Sequence, residues 1–401
     1  MRALLATLVV VTTTLLGVSV ARANPSFARR YRTSCRTCHA WSFPYLNAWG
    51  TRFRQNGYQL PEGAEDPARA AATIEPGTVA ERTAIFATPP LSVRARVLGE
   101  WNEDAAGKRH FGGSVPYVRV IGGGSLYENV SLLFSADVVP SPALHFLTVG
   151  VHDIVPRGGL SIVAGQLLMT GLQRPGHRSI TRVASPLASV HVGDNPFVLE
   201  GMHVGVSLQG RPGWGAFSYE LAVANGSPGA PGQTGVGAPG ILGRVGLTTG
   251  EHTFGVFGYG AVARLRVDSG GIEREWDDRL VVTGADAELS VSRLLFYAAG
   301  LFGLHADPHG EGEATRYVGV RAEVLWALTD ELSAIARYDA VESSDATLRH
   351  RLATLHAGYL VLSSLRLSVE ATADLQWLAE HNDSPSLGNE SRVSAFLEGA
   401  L

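Results

Sequence analysis

The sequence predicts an all-β fold, an antiparallel transmembrane β-barrel of about 16 strands, preceded by a small helical segment. Three observations predict it. From residue 91 to the end of this 401-residue chain, segments of roughly ten residues alternate apolar side chains with small or charged ones, the period-two pattern of strands that separate two environments. In one segment Val318, Val320, Ala322, Val324 and Trp326 share a face while Arg321 and Glu323 share the other; in a second, Leu365, Leu367, Val369, Ala371 and Ala373 oppose Arg366, Ser368, Glu370 and Asp374. The array is larger than a soluble sandwich needs, and its connections alternate between tight and long, as do the turns and outer loops of outer-membrane barrels. A net charge of −4 says little about partners. The sequence holds no nucleotide-binding loop, catalytic triad or basic patch for nucleic acid.

The N-terminal elements come first. Arg2, an apolar run from Leu4 to Val20 and Ala21-Arg22-Ala23 read as a signal peptide over 1–23, so the mature chain is expected to start at Asn24 and to leave the cytoplasm. Residues 24–60 carry Cys35-x-x-Cys38-His39, which holds both cysteines of the chain. This spacing attaches c-type haem: the thiols add to the vinyl groups and His39 becomes the proximal iron ligand. One covalent haem c is expected, and no disulfide. A structural zinc site needs four ligands and a thioredoxin-like motif needs a βαβ frame, and neither is present nearby. Phe27, Tyr31, Trp41, Phe43, Tyr45, Trp49, Phe53 and Tyr58 suit a haem face. Pro44 is placed to start a helix, Leu46, Trp49 and Phe53 recur at helical spacing, and Gly57 is placed to end it. A segment below ~40 residues buries too little surface to stand without a cofactor or a neighbour. Residues 61–90, rich in Ala, Pro, Glu and Gly, read as a linker.

The barrel is expected over 91–401, with strands beginning near Ser92, Val115, Val130, Leu144, Leu160, Gly201, Trp214, Gly240, His252, Arg279, Arg293, Tyr317, Leu332, Leu348, Leu365 and Arg392. Even-to-odd connections are tight, as at 127–129, 156–159, 249–251, 329–331 and 363–364. Odd-to-even ones are long and polar, as at 170–200, 225–239, 268–278, 305–314 and 380–390. Both barrel ends then face the periplasm, and the outward face meets outer-membrane lipid. Arg94, Arg96, Arg264, Arg266, Asp286, Glu288, Arg321, Glu323 and Glu370 are expected to line the lumen. Met202, with Val204 and Val206, is expected to face lipid.

Pro25-Ser26-Phe27-Ala28-Arg29, the Cys35-x-x-Cys38-His39 motif, Phe43-Pro44-x-Leu46-Asn47, Gly50-x-x-Phe53 and Gly57-Tyr58 together resemble the N-terminal signature of the fused monohaem cytochrome-porins of the outer membrane, first described in bacteria that oxidise ferrous iron. Over the barrel the resemblance is architectural only. It implies that Cys35, Cys38 and His39 hold the haem. It also implies that the protein passes electrons from an extracellular donor to a periplasmic electron-carrier protein; the donor itself is not carried over with the motif, and Fe(II), which would make the protein a ferrous-iron oxidase, is the leading candidate. An apolar band about 25 Å tall would insulate a haem left in the periplasm, so the haem segment is expected to plug the lumen. The sixth iron ligand is open, since the segment has no methionine and no histidine other than His39. Met169 is the other methionine of the mature chain; His152 and His203, on inferred lumen faces, and His177 and His191, in the long connection after the fifth strand, are the histidine candidates. His305, Asp307, His309, Glu311 and Glu313 mix ligand types that suit divalent iron, and Glu273, Glu275, Asp277 and Asp278 add negative charge beside them. Two alternatives stand: a diffusion porin whose haem plug gates or senses, and a periplasmic haem protein with a soluble β domain.

Overall fold

The computed structural model describes residues 27, 31, 35–39, 45–58, 91–103, 108–127, 129–168, 171–174, 180–225, 238–269, 272–362, 364–380 and 391–400. The expected signal peptide (1–23) and linker (61–90) lie outside the described residues. Sixteen antiparallel strands close into one barrel in sequence order. They are β1 Leu91–Glu103, β2 Arg109–Tyr127, β3 Val130–Val139, β4 Ala143–Val155, β5 Leu160–Leu168, β6 Met202–Gly210, β7 Phe217–Ala224, β8 Ala238–Thr249, β9 His252–Ser269, β10 Ile272–Val291, β11 Leu294–His305, β12 Thr315–Ala327, β13 Leu332–Ser343, β14 His350–Leu362, β15 Leu365–Asp374 and β16 Arg392–Ala400. Closure comes from β1 on β16, paired from Arg94↔Ala400 to Asn102↔Arg392, which leaves no edge strand.

Alternation decides which side chain goes where. On β12, Val318, Val320 and Trp326 are 49%, 44% and 51% exposed, while Arg321 and Glu323 are 2% exposed. The apolar side chains therefore face outward and the charged ones inward, the inverse of a soluble protein and the arrangement a lipid surround requires. Val204 and Val206 also face out, as expected. One rim carries only connections of two to six residues and the other the long loops. At the β4–β5 turn Arg157 and Gly158 have φ of 61° and 72°, a left-handed pair that matches the twist of the hairpin.

Two expectations need correction. Residues 268–278 are not a loop: β9 and β10 stay paired up to Ser269↔Ile272, and a hairpin of 18- and 20-residue strands projects past the wall. Crossing takes only about 9–11 residues, so the outward face of the outer half, with Arg264, Arg266, Glu275 and Asp277, meets water instead of lipid and its polar sequence reads as loop. For the same reason Arg264 and Arg266 do not line the lumen. Ala263 and Leu265 take the inward positions, and the two arginines face out, where Arg264 meets Asp277 at 3.0 Å and Arg266 meets Glu275 at 3.1 Å across the hairpin. Arg94, Arg96, Asp286, Glu288, Arg321, Glu323 and Glu370 are buried inside the barrel.

Within the N-terminal segment, α1 (Cys35–Cys38) and α2 (Ala48–Gln55) pack together. Asn47 caps α2 by accepting the Gly50 N–H at 2.8 Å, and Gly57, at φ 65°, ends it. Pro44 lies outside the described residues. The rings of Phe27, Tyr31, Trp49 and Tyr58 surround Phe53 with centroids 5.3–5.9 Å away, so these aromatics pack on one another as a small core.

Candidate functional site

The C-x-x-C-H motif begins on the single turn of α1, where positions 35 and 38 share a face. Asn47 anchors that turn: its main-chain N–H donates to Cys38 O at 3.0 Å and its Nδ2 donates to Thr37 O at 3.1 Å. Gly50 comes so close that a Cβ there would overlap the Cys38 carbonyl. His39 follows and bridges to Leu46. The His39 Nδ1 lies 3.2 Å from the main-chain oxygen of Tyr45. A carbonyl can only accept, so Nδ1 carries the proton. Metal-bound histidines are oriented in this way. The motif therefore fits a c-type haem, which Cys35 and Cys38 would attach and His39 would ligate.

The segment is seated inside the barrel. Tyr45 is 3% exposed; its hydroxyl donates to Glu323 Oε1 on β12 at 2.7 Å, and its ring lies 3.8 Å beneath the Arg174 guanidinium. Burial, followed by the Glu323 carboxylate, pushes the phenol up to about 12, which keeps it a donor. At the other end of α2, Arg211 in the β6–β7 turn donates to Gln55 Oε1 at 3.1 Å, and Gly57 packs on the His152 ring. Burial, then the charge of Arg52, lowers Arg211 to about 10. The α2 helix thus crosses the lumen near the short-turn rim, from the β4–β7 wall to β12.

Above it, the described residues between β5 and β6, 171–174 and 180–201, fold into the lumen and include α3 (Pro186–Ser189). Leu172, Leu187, Val192, Phe197 and Leu199 join the inward apolar cluster. Wall carboxylates fasten this inserted loop. Arg174 spans Glu288 at 2.6 Å and Glu323 at 3.2 Å; Asp286 accepts the Gln173 N–H; Glu370 accepts Arg182 N at 2.7 Å and Val183 N at 2.9 Å; Asp339 accepts from Ser185 Oγ at 2.5 Å; Asp278 accepts from Asn195 Nδ2 at 2.7 Å. Sequence reasoning found the wall carboxylates Glu288, Glu323, Asp286 and Glu370 but missed Arg174, Asp339 and the part played by Tyr45, because their partners are distant in sequence.

Among the candidates for the sixth ligand, His152 is buried with Nε2 on Ser131 Oγ at 2.6 Å. It touches the C-terminal end of α2, whereas Cys38 packs on the first turn, roughly 10 Å away along the axis. That position suits docking rather than axial ligation. His203 is buried among Phe197 and Tyr259, with centroids 5.8 and 6.2 Å away, and His191 is exposed. His177 and Met169 lie outside the described residues. The expected iron-binding loop has other work. His305 Nδ1 meets Asp278 at 2.8 Å, Asp307 N donates to Asp278 at 3.0 Å, and Asp307 accepts Glu311 N and Gly312 N at 2.8 and 3.0 Å. No group of three or more His, Cys, Asp or Glu among the described residues is placed to hold a metal ion.

No protein-family model and no curated protein matches the chain. Solved structures do match it in fold. The anion-selective porin of Comamonas acidovorans aligns with a TM-score of 0.57 at 13% identity, over 78% of this chain and 98% of its own. A loop-L8 deletion mutant of OmpT, an outer membrane protein of Vibrio cholerae, gives 0.54 at 13% identity, over 78% and 98%. OmpF of Salmonella typhi in complex with daunomycin gives 0.52 at 10% identity, over 78% and 97%. The architecture is that of a porin-like 16-stranded barrel.

Proposed function

We propose that this protein is an outer-membrane electron-transfer protein whose N-terminal c-type cytochrome segment is held inside a porin-like barrel. The carrying observation is His39: its Nδ1 is fixed by Tyr45 O at 3.2 Å, directly after the Cys35–Cys38 turn, and Tyr45 is itself locked to the lumen wall. A covalent c-type haem supplies a one-electron couple there. The chain's own residues orient the imidazole, exclude bulk water with the inserted loop, and bring the motif within the membrane thickness. In this reading the long-loop rim faces outside, while the short-turn rim and α2 face the periplasm, where an electron-carrier protein docks. Extracellular ferrous iron as the donor rests on the resemblance alone.

Haem-stained denaturing gels of the full chain test the reading. We expect one stained band, lost when Cys35→Ala and Cys38→Ala are combined. A stain that survives the double change, or is absent from the unaltered protein, sinks it and leaves the porin-like barrel as a diffusion pore, the second reading, which the fold neighbours favour. Reduction of the haem by Fe(II) added to intact cells tests the donor. Reduction by another reagent but never by Fe(II) removes iron and keeps the electron-transfer class.

A further inference from the structure

We propose that Tyr45 is a positioning residue through which the barrel wall and the inserted loop set the redox properties of the metal centre at His39, an inference that rests on the haem reading above. Tyr45 is gripped at both ends. Its main-chain oxygen accepts the His39 Nδ1 proton at 3.2 Å; its hydroxyl donates to Glu323 Oε1 at 2.7 Å; its ring is capped by the Arg174 guanidinium 3.8 Å away. Its two side-chain partners, Glu323 in the wall and Arg174 on the inserted loop, are themselves fixed. Arg174 spans Glu288 and Glu323, and the second oxygen of Glu323 accepts from Arg321 Nη2 at 2.7 Å. A ring held between a cation and a carboxylate cannot turn without breaking buried charge-assisted bonds, so the direction of its own carbonyl is fixed as well.

That carbonyl is what the imidazole feels. A proton held firmly between Nδ1 and a carbonyl gives the ring more imidazolate character, which favours the ferric state; a loosened bond does the opposite and raises the potential. A cytochrome segment standing alone would have to supply this rigidity itself. Here β10, β12 and the inserted loop supply it, so the barrel is part of the cofactor site as well as its container.

The test uses full-length protein extracted in detergent, with Tyr45→Phe, Tyr45→Ala, Glu323→Gln and, as a control on the lipid-facing wall, Tyr338→Phe. Haem content per chain, midpoint potential and the resonance Raman frequency of the iron–histidine stretch are read for each. We expect Tyr45→Phe and Glu323→Gln to keep the haem, to raise the potential and to lower the stretching frequency, with Tyr45→Ala larger in the same direction and Tyr338→Phe unchanged. Haem-loaded Tyr45→Phe with potential and stretch both equal to those of the parent overturns the inference, as does an equal shift in Tyr338→Phe. Tyr45→Phe is nearly isosteric, so it decides the matter should Tyr45→Ala fail to fold. Absence of covalent haem in the unaltered protein overturns the reading beneath it, a result distinct from a loaded variant that does not shift.

Discussion

At the residue scale, Asp278 is fully buried and joins three segments that are distant in sequence. It accepts from His305 Nδ1 at 2.8 Å, Asn195 Nδ2 at 2.7 Å and Asp307 N at 3.0 Å, binding the inserted loop and the β11–β12 loop to β10. Removing one partner of such a buried pair strands the others, at a cost of about 3–5 kcal/mol. We expect Asp278→Ala to lower the temperature at which the folded, gel-compact barrel unfolds and to open 306–314 to added protease. Combined replacement of His305, Asp307 and His309 is expected to loosen the same loop, and it should leave binding of Fe(II) by the intact protein unchanged. Weaker Fe(II) binding with an intact loop would restore the iron-ligand role. The C-x-x-C-H pattern was legible in the sequence because it is local, with spacing and residue type in five consecutive positions. Asp278 and Tyr45 were not, because each takes its meaning from donors brought to it by the closed sheet. His305 was ambiguous in the sequence because imidazole beside carboxylate reads alike whether it binds a cation or carries a hydrogen bond.

At the scale of elements, strand starts followed the alternation closely wherever one face met lipid. The β3, β5, β9, β13, β15 and β16 strands begin at the residues the pattern named. The β2 and β10 strands begin earlier, at Arg109 and Ile272, because the outward faces of their outer ends meet water instead of lipid and lose the apolar half of the signal. The long connection at 169–201 was legible as a long loop, but what fastens it was not, since the fasteners are wall carboxylates spread from β10 to β15. Glu370 is the clearest of these fasteners, holding two consecutive loop N–H groups with one carboxylate. Glu370→Gln keeps the shape, removes one acceptor and turns an amide N–H₂ toward a donor, at a cost of about 1–3 kcal/mol. We expect its inserted loop to become cleavable at 180–190 in the otherwise folded barrel. Unchanged resistance to protease would show that the apolar contacts of Leu187, Phe197 and Leu199 suffice to hold the loop.

At the scale of the whole molecule, two bodies share one lumen, and their order sets what can pass. The inserted loop closes the barrel from the side of the long loops and α2 crosses it near the short turns, so a solute meets two obstacles in series. An electron-transfer role needs this filling, because it keeps the site dry and brings it within the apolar band, whereas a diffusion pore needs the reverse. Planar-bilayer conductance separates the two. The full-length protein is expected to conduct far less than open 16-stranded porins. Deletion of 24–60 should raise conductance only modestly, because Arg174 leaves with no strand and the loop remains fastened to Asp286, Asp339 and Glu370. Deletion combined with Glu370→Gln should raise it several-fold, since both obstacles then yield and β1 still closes on β16. Full conductance in the unaltered protein would mean that the lumen contents do not seal it, and the porin reading would then displace electron transfer.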